Sequence, residues 1–170
     1  MSFPKNVGQV PLYYAAKNTG RPLLEGRWFE KFRSNYLDVD NAPLYPFGYG
    51  MSYTTFEYSP IAISATEVAA GGSVTAEVTV TNTGKVAGKE VVQMYLQDVV
   101  GSTTRPVREL KGFEKISLEP GESKVVKFEI TPELMSLYNS NLEFVAEPGE
   151  FIVSVGADSR TKNSASFILK

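Results

Sequence analysis

Hydrophobic and polar residues alternate strictly between residues 73 and 81. Val74, Ala76, Val78 and Val80 take every second position, and Ser, Thr and Glu residues fill the positions between them. Successive side chains of a β-strand point to opposite faces, so a period of two indicates a strand with one buried face and one wet face. The pattern therefore predicts a strand that covers a hydrophobic core on one side.

Further runs typical of strands follow after residue 90. Runs that predict strands occupy residues 91–96, 110–118, 126–130, 142–145, 151–155 and 165–169. Turn-forming residues separate several of them, at 82–84 (Asn-Thr-Gly), 119–122 (Glu-Pro-Gly-Glu) and 147–150 (Glu-Pro-Gly-Glu). About seven short strands separated by turns are typical of an all-β fold, an antiparallel β-sandwich of the immunoglobulin or fibronectin type III kind. The sequence at residues 133–135 predicts one helical turn. Tyr138 lies just before a late strand, and this position predicts a corner tyrosine whose hydroxyl bonds back to the chain.

The chain changes character near residue 57, which predicts two parts: an irregular N-terminal arm, residues 1–57, and the sandwich, residues 58–170. Proline and glycine punctuate the arm throughout. The alternating stretch 7–14 predicts a strand that Pro11 confines to a sheet edge. Residues 27–36 predict a helical turn or two.

Residues 43–56, which we call the aromatic segment, are the most apolar part of the arm. The large side chains that carry its predicted role are Tyr45, Phe47, Tyr49, Tyr53 and Phe56. Two prolines and two glycines exclude a helix or a regular strand there. The rings could stack on sugars, but burial of several aromatic side chains would dominate a contact between domains. We therefore predict an interdomain clamp.

Composition excludes several kinds of chemistry. The chain contains neither cysteine nor histidine, so disulfides, Ser-His-Asp and Cys-His catalysis and the commonest zinc ligands are excluded. The net charge of −2 gives no reason to expect a nucleic acid or an anionic membrane as partner. No apolar run is long enough to span a bilayer, and no secretion signal is visible. We predict no metal or organic cofactor.

Several stretches resemble the C-terminal region of glycoside hydrolase family 3, the β-glucosidases, β-xylosidases and their relatives. Residues 3–14 and 17–22 resemble the end of the family's α/β domain. The run Leu-Tyr-Pro-Phe-Gly-Tyr-Gly-Met-Ser-Tyr-Thr-Thr-Phe at 44–56 resembles its signature linker. Residues 82–96, 108–113 and 147–151 resemble its fibronectin type III-like domain. The resemblance covers essentially the whole chain, and the linker motif is long and specific.

The resemblance implies a retaining β-glucosidase, or a β-xylosidase, as a longer parent protein. In the family the nucleophilic Asp lies on an N-terminal barrel and the acid/base Glu on the α/β domain, both upstream of the matching stretches. No residue here matches either motif, so no catalytic residue is carried over. The chain alone is then expected to be inactive, with the upstream catalytic domains as partners, a periplasmic or secreted parent, and homo-oligomerisation left open.

Two groups of residues in the arm are candidates for a site. A retaining glycosidase needs two carboxyl groups roughly 5 Å apart, and the arm offers Glu25, Glu30, Asp38 and Asp40. We predict that these are solvated or cap turns, because an arm on a sandwich encloses no cleft by itself. The second group, Arg21, Arg27, Trp28 and Arg33, could bind substrate hydroxyls, but we predict packing beneath the arm.

Two other functional classes remain open. A carbohydrate-binding module would need exposed, coplanar aromatic side chains on the sandwich, for which Phe113, Tyr138 and Phe144 are the candidates. An adhesion-type sandwich accounts for residues 58–170 but leaves the arm unexplained. A flat aromatic strip on a sheet face would favour sugar binding, and an apolar surface on the arm would favour a structural brace.

Overall fold

The computed structural model describes residues 1–23, 27 and 29–170, and their fold is the expected all-β sandwich. Residues 1–55 contain only isolated β-bridges within the described part. The regular elements are β1 (Phe56–Tyr58), β2 (Ala62–Ile63), β3 (Glu67–Val68), β4 (Val74–Asn82), β5 (Gly88–Asp98), β6 (Glu109–Leu118), β7 (Ser123–Ile130), α1 (Pro132–Met135), β8 (Leu137–Tyr138), β9 (Phe144–Val145), β10 (Gly149–Gly156) and β11 (Ser164–Leu169). None of the described helices is long and apolar enough to cross a membrane.

Two sheets form the sandwich. The smaller sheet places β4 at its centre, paired with β1, β2 and β7. The larger sheet has the order β3-β11-β10-β5-β6, and a separate hairpin joins β8 to β9. The pairs are antiparallel except for β3 and β11, which run parallel. The Asn-Thr-Gly turn joins β4 to β5 and the Pro-Gly turn at 119–122 joins β6 to β7, so each of these turns carries the chain from one sheet to the other.

The hydrophobic core lies between the two sheets. Every second residue of β4, from Val74 to Val80, is fully buried, as the alternation predicts. The smaller sheet also contributes Val126, Phe128 and Ile130 of β7. The larger sheet contributes the inward residues of β5, β6, β10 and β11, including the stacked rings of Phe151 and Phe167, whose centroids are 5.6 Å apart.

Three local predictions are wrong. Residues 7–14 form no strand; their backbone bonds stay in tight turns, with Gln9 N donating to Asn6 O. The described residues between 27 and 36 form no helix, only a turn in which Arg33 N donates to Glu30 O at 3.2 Å. Tyr138 is exposed and its ring packs on Phe144, so it is not a corner tyrosine.

Other local predictions agree with the structure. The helical turn predicted at 133–135 is α1, and the strands predicted at 110–118 and 165–169 are β6 and β11. The strand predicted at 142–145 is reduced to β9, because Leu142 has a positive φ of 64° and belongs to the preceding turn.

Candidate functional site on the outer face of the larger sheet

The central strand β5 is buried on both of its faces. Val92, Met94 and Leu96 point into the core, which leaves Gln93 and Tyr95 on the opposite face, here called the outer face. That face would ordinarily be wet, yet Tyr95 is 0% exposed and Gln93 4%. The N-terminal arm lies over them and excludes water.

Aromatic rings form the contact between the arm and the outer face. Tyr14 stacks on Phe47, with centroids 4.2 Å apart and ring planes 19° apart, and meets Tyr95 edge-on at 5.9 Å. The Tyr14 hydroxyl accepts a hydrogen bond from the Leu110 backbone N–H at 3.3 Å. Burial raises the pKa of Tyr95 above its ordinary value, which keeps its hydroxyl protonated. Three rings from distant parts of the chain thus form one packed unit.

The amide of Gln93 fastens the aromatic segment to the sheet. Its Nε2 donates to Gly48 O at 3.1 Å and to Ala157 O at 2.5 Å, and its Oε1 accepts from the Tyr95 hydroxyl at 2.6 Å. The backbone of the segment adds a second tie, because Ser159 N donates to Phe47 O at 2.9 Å. A buried amide with every group satisfied holds its neighbours in one arrangement.

Gly48 is the residue that permits this close approach. Its φ is +83°, and a Cβ at this position would lie 2.0 Å from Gln93 Oε1. An L side chain would meet both backbone strain and a direct clash. Glycine is therefore required for the contact with Gln93.

A second attachment joins the end of the aromatic segment to the smaller sheet. Asn82, fully buried, accepts at its Oδ1 from the Thr54 hydroxyl at 2.6 Å and from Gly84 N at 3.1 Å. Its Nδ2 donates to the carbonyls of Val86 and Leu118. One side chain thus ties the segment to the β4–β5 turn and the end of β6.

The Gln9 side chain joins two stretches of the arm that are distant in sequence. This residue is fully buried, with Nε2 donating to Asp40 O and Ala42 O at 2.8 Å each, and Oε1 accepting from Lys5 N at 2.7 Å. Lys5 also pairs with the Asp40 carboxylate at 2.6 Å, which lowers the pKa of Asp40. Residues 7–14 form no β-ladder, and the Gln9 side chain instead provides hydrogen bonds that link this stretch to residues 40–42.

A groove of about 710 Å³ lies between the arm and the part of the outer face that the rings leave open. Its lining includes Tyr13, Asn41, Gln97 and Arg108. The Arg108 Nη1 donates to the carbonyls of Ser159 and Thr161, and burial lowers the pKa of its guanidinium. These bonds give Arg108 a structural role in holding the loop after β10.

Comparison with known proteins shows which family and which enzymes this chain is similar to. Residues 90–159 match the fibronectin type III-like domain family. A periplasmic β-glucosidase of Salmonella typhimurium is 52% identical over 99% of this chain and 22% of its own length, and a putative β-xylosidase of Formosa agariphila is 45% identical over 100% and 21%. A crystal structure of the Listeria innocua β-glucosidase in complex with isofagomine superposes with a TM-score of 0.92 at 47% identity, covering 99% of this chain and 24% of that one.

The chain corresponds to the C-terminal region of β-glucosidase-like glycoside hydrolases. The resemblance to family 3 is thereby confirmed, and the sandwich contains its fibronectin type III-like domain. The chain spans about a fifth of the length of the curated relatives it matches.

The five predicted clamp residues do not form a single cluster in this C-terminal region. Phe47 and Phe56 are partly buried against the sandwich. Tyr45 and Tyr49 stack on each other at 5.1 Å and remain 43% and 47% exposed, whereas Tyr53 is fully exposed. Their role as an interdomain clamp stays a prediction.

Sequence reasoning missed most of the residues that attach the aromatic segment. Tyr14, Gly48, Gln93 and Tyr95 were not singled out for this role. One signal was present: residues 91–96 form a nearly unbroken apolar run rather than an alternating one, and such a run indicates a strand buried on both faces.

The carboxylates of the arm make local contacts. Asp40 pairs with Lys5, Asp38 accepts from Asn6 Nδ2 at 3.3 Å, and Glu30 pairs with Arg33 at 3.4 Å. Glu25 and Trp28 lie outside the described residues. In the described part of the chain, no three side chains of the Asp and Glu type gather to hold a metal ion.

The aromatic side chains proposed for sugar binding lie on two separate parts of the fold. Phe113 is 68% exposed on β6, and Tyr138 and Phe144 are exposed on the β8–β9 hairpin. The ring planes of Tyr138 and Phe144 are inclined by 44°. These two rings therefore do not form the flat strip that a sugar-stacking platform needs.

Proposed function

We propose that this chain is the non-catalytic C-terminal structural region of a retaining β-glucosidase, and that it braces the upstream catalytic domains. The parent would hydrolyse terminal β-D-glucosides; a β-xylosidase parent is the alternative. The proposal rests on the length of this chain compared with the length of its relatives. Relatives named as β-glucosidase and β-xylosidase match nearly the whole chain, yet the chain is only about a fifth of each.

The arrangement of the arm supports a bracing role. Tyr14, in a stretch that resembles the end of the α/β domain, packs on Tyr95 of the sandwich and on Phe47 of the linker motif. The Gln93 amide binds the linker motif at the Gly48 carbonyl. A sheet face covered by such a segment is stiff, because the buried rings and the satisfied amide allow one packing. The domain division at residue 57 is part of this proposal.

The proposed location of the parent is the periplasm or the exterior of the cell. The Salmonella relative is named a periplasmic enzyme. The absence of cysteine agrees with this location and with others, so the relative's name is the support.

A replacement experiment tests the function. The matching segment of the Salmonella β-glucosidase is deleted, and in a second protein it is replaced by this chain, giving a chimera. We expect the deletion to lose most soluble, active enzyme, the chimera to hydrolyse an aryl β-glucoside, and this chain alone to show no turnover. All proteins are purified from a host that lacks β-glucosidases.

Two results would overturn the proposal. One is turnover of the aryl β-glucoside by this chain alone. The other is a deleted enzyme whose activity and melting temperature equal those of the intact relative.

A further inference from the structure

An uncharged apolar surface remains open beside the buried ring unit. Two adjoining hollows, of about 350 and 400 Å³, meet at Met1, Phe3 and Tyr49. The first continues over Tyr45 and Met51, and the second reaches Phe113 on β6. We call the side chains of Met1, Phe3, Tyr45, Tyr49, Met51 and Phe113 the aromatic patch.

The patch is exposed to an extent that demands an explanation. Met51 is 88% exposed and Phe3 51%, and the side chains that line the two hollows include no Asp, Glu, Lys or Arg. Contiguous exposed apolar surface of this kind marks a place where another surface binds. The rings are pre-arranged, because Tyr45 contacts Phe3 edge-on at 6.2 Å and stacks on Tyr49.

The path of the chain points to the occupant. Phe3 is held at the patch by three backbone bonds: its N–H donates to Tyr45 O at 2.9 Å, and its carbonyl accepts from Leu44 N at 2.8 Å and from Tyr45 N at 3.4 Å. Residue 1 therefore lies within the patch, and any residues joined before it would emerge there. The relatives carry roughly four fifths of their length outside the matching segment.

We propose that the aromatic patch is the docking surface for the upstream catalytic domains of the same polypeptide, which would present an uncharged apolar surface to it; this rests on the function proposed above. A sugar ligand fits the patch less well. Sugar recognition needs free polar groups beside the rings, and the Gln93 amide, which lines one of the hollows, uses both its Nε2 and its Oε1 on protein partners.

The chimera described above allows a test with a matched control. Tyr45→Ser and Tyr49→Ser together remove the stacked pair of the patch. Tyr138→Ser and Phe144→Ser remove another exposed ring pair, 5.0 Å apart, on the β8–β9 hairpin. Each double variant is made both in this chain alone and in the chimera, and thermal unfolding is followed in all four proteins.

We expect the substitutions of the patch variant to lower the melting temperature by roughly 5 °C more in the chimera than in the chain alone. The control substitutions should lower the melting temperature equally in the chimera and in the chain alone. Backbone amides of residues 45–51 should also exchange with solvent more slowly in the chimera than in the chain alone, because the docked domain covers them.

Equal losses for the two ring pairs in the chimera, with unchanged amide exchange, would overturn the patch as a docking surface while an active chimera leaves the proposed function standing. A dimer of the chain alone in sedimentation, abolished by the patch variant, would assign the patch to a second copy and also overturn the proposal. An unimpaired deletion enzyme would instead remove the proposed function itself.

Discussion

A few individual residues decide how the aromatic segment lies on the larger sheet. Gln93 is the centre of this arrangement because its one amide satisfies two carbonyls from separate segments and the Tyr95 hydroxyl. Leaving any of these buried groups unpaired would cost about 1–3 kcal/mol. Gly48 matters for a different reason: it has no side chain, and the Gln93 amide occupies the space that a Cβ would fill.

Gly48→Ala is expected to destabilise the chain by about 2–4 kcal/mol, the sum of a positive-φ cost and a clash with Gln93. Gly71→Ala is the matched control: its φ is +82°, and no atom lies within 4 Å of the added Cβ. The control should lose only about 1 kcal/mol, which is the backbone part. Urea unfolding measures both, and equal losses would show that the contact with Gln93 carries no weight.

At the scale of elements, sequence patterns predicted the long strands and missed most of the short ones. β4 and β7 alternate because each has one face on the core and one in water, so their period is legible in the sequence. The strands β1, β2 and β3 have only two or three residues each, too few to show a period. Their existence depends on pairing with β4 and β11, which lie elsewhere in the chain.

The arm was harder to predict than the sandwich for a related reason. Residues 7–14 have the composition of an edge strand, but their polar member, Gln9, becomes the buried centre of a loop by capturing carbonyls of residues 40–42. A local pattern contains no information about such a distant partner. The composition of the aromatic segment predicts that it packs against another surface, but its partners Gln93 and Tyr95 follow only from the three-dimensional arrangement.

The boundary between the arm and the sandwich can be tested by truncation. Residues 51–170 keep β1 and Thr54, whereas residues 58–170 lose Phe56, which packs partly against the core, and the Thr54 bond to Asn82. We expect both to unfold cooperatively, the shorter one with about 2–4 kcal/mol less stability, from one ring and one hydrogen bond. Chemical unfolding followed by circular dichroism measures the difference.

Two outcomes of that truncation would count against the expected boundary. Equal stability of the two fragments would show that β1 and Thr54 contribute nothing to the sandwich. A non-cooperative transition for residues 58–170 would place the start of the folding unit earlier than residue 58.

For the molecule as a whole, the carboxyl groups act on stability in opposite directions. Lys5 lowers the pKa of Asp40, and bonds from Ser102 lower that of Glu147, so both favour the folded state at neutral pH. Burial raises the pKa of Glu90 and of Asp98, so their ionised forms are disfavoured by folding. The overall pH profile is therefore a difference, and single groups are visible only through matched variants.

Glu90→Gln isolates one of these contributions. Burial is the larger influence on the Glu90 carboxyl, and the hydrogen bond that it accepts from the Tyr58 hydroxyl at 2.7 Å only partly offsets it. Because the folded pKa is raised, the folded state holds the proton more tightly, and wild-type stability falls as the pH rises from the ordinary glutamate pKa of about 4.3 to the folded value. The glutamine keeps an oxygen for Tyr58 and has no proton to lose.

The free energies of unfolding of variant and wild type should thus differ little at pH 3 to 4. As the pH rises through that window they should diverge in favour of the variant, and above it their difference should stay constant, at about 1.4 kcal/mol for each unit by which folding raises the pKa. Urea titrations across the pH range measure this, with Glu57→Gln on the exposed side of β1 as the control that should leave the difference flat. A wild type that gains stability over the variant as the pH rises would show that the Tyr58 bond outweighs burial.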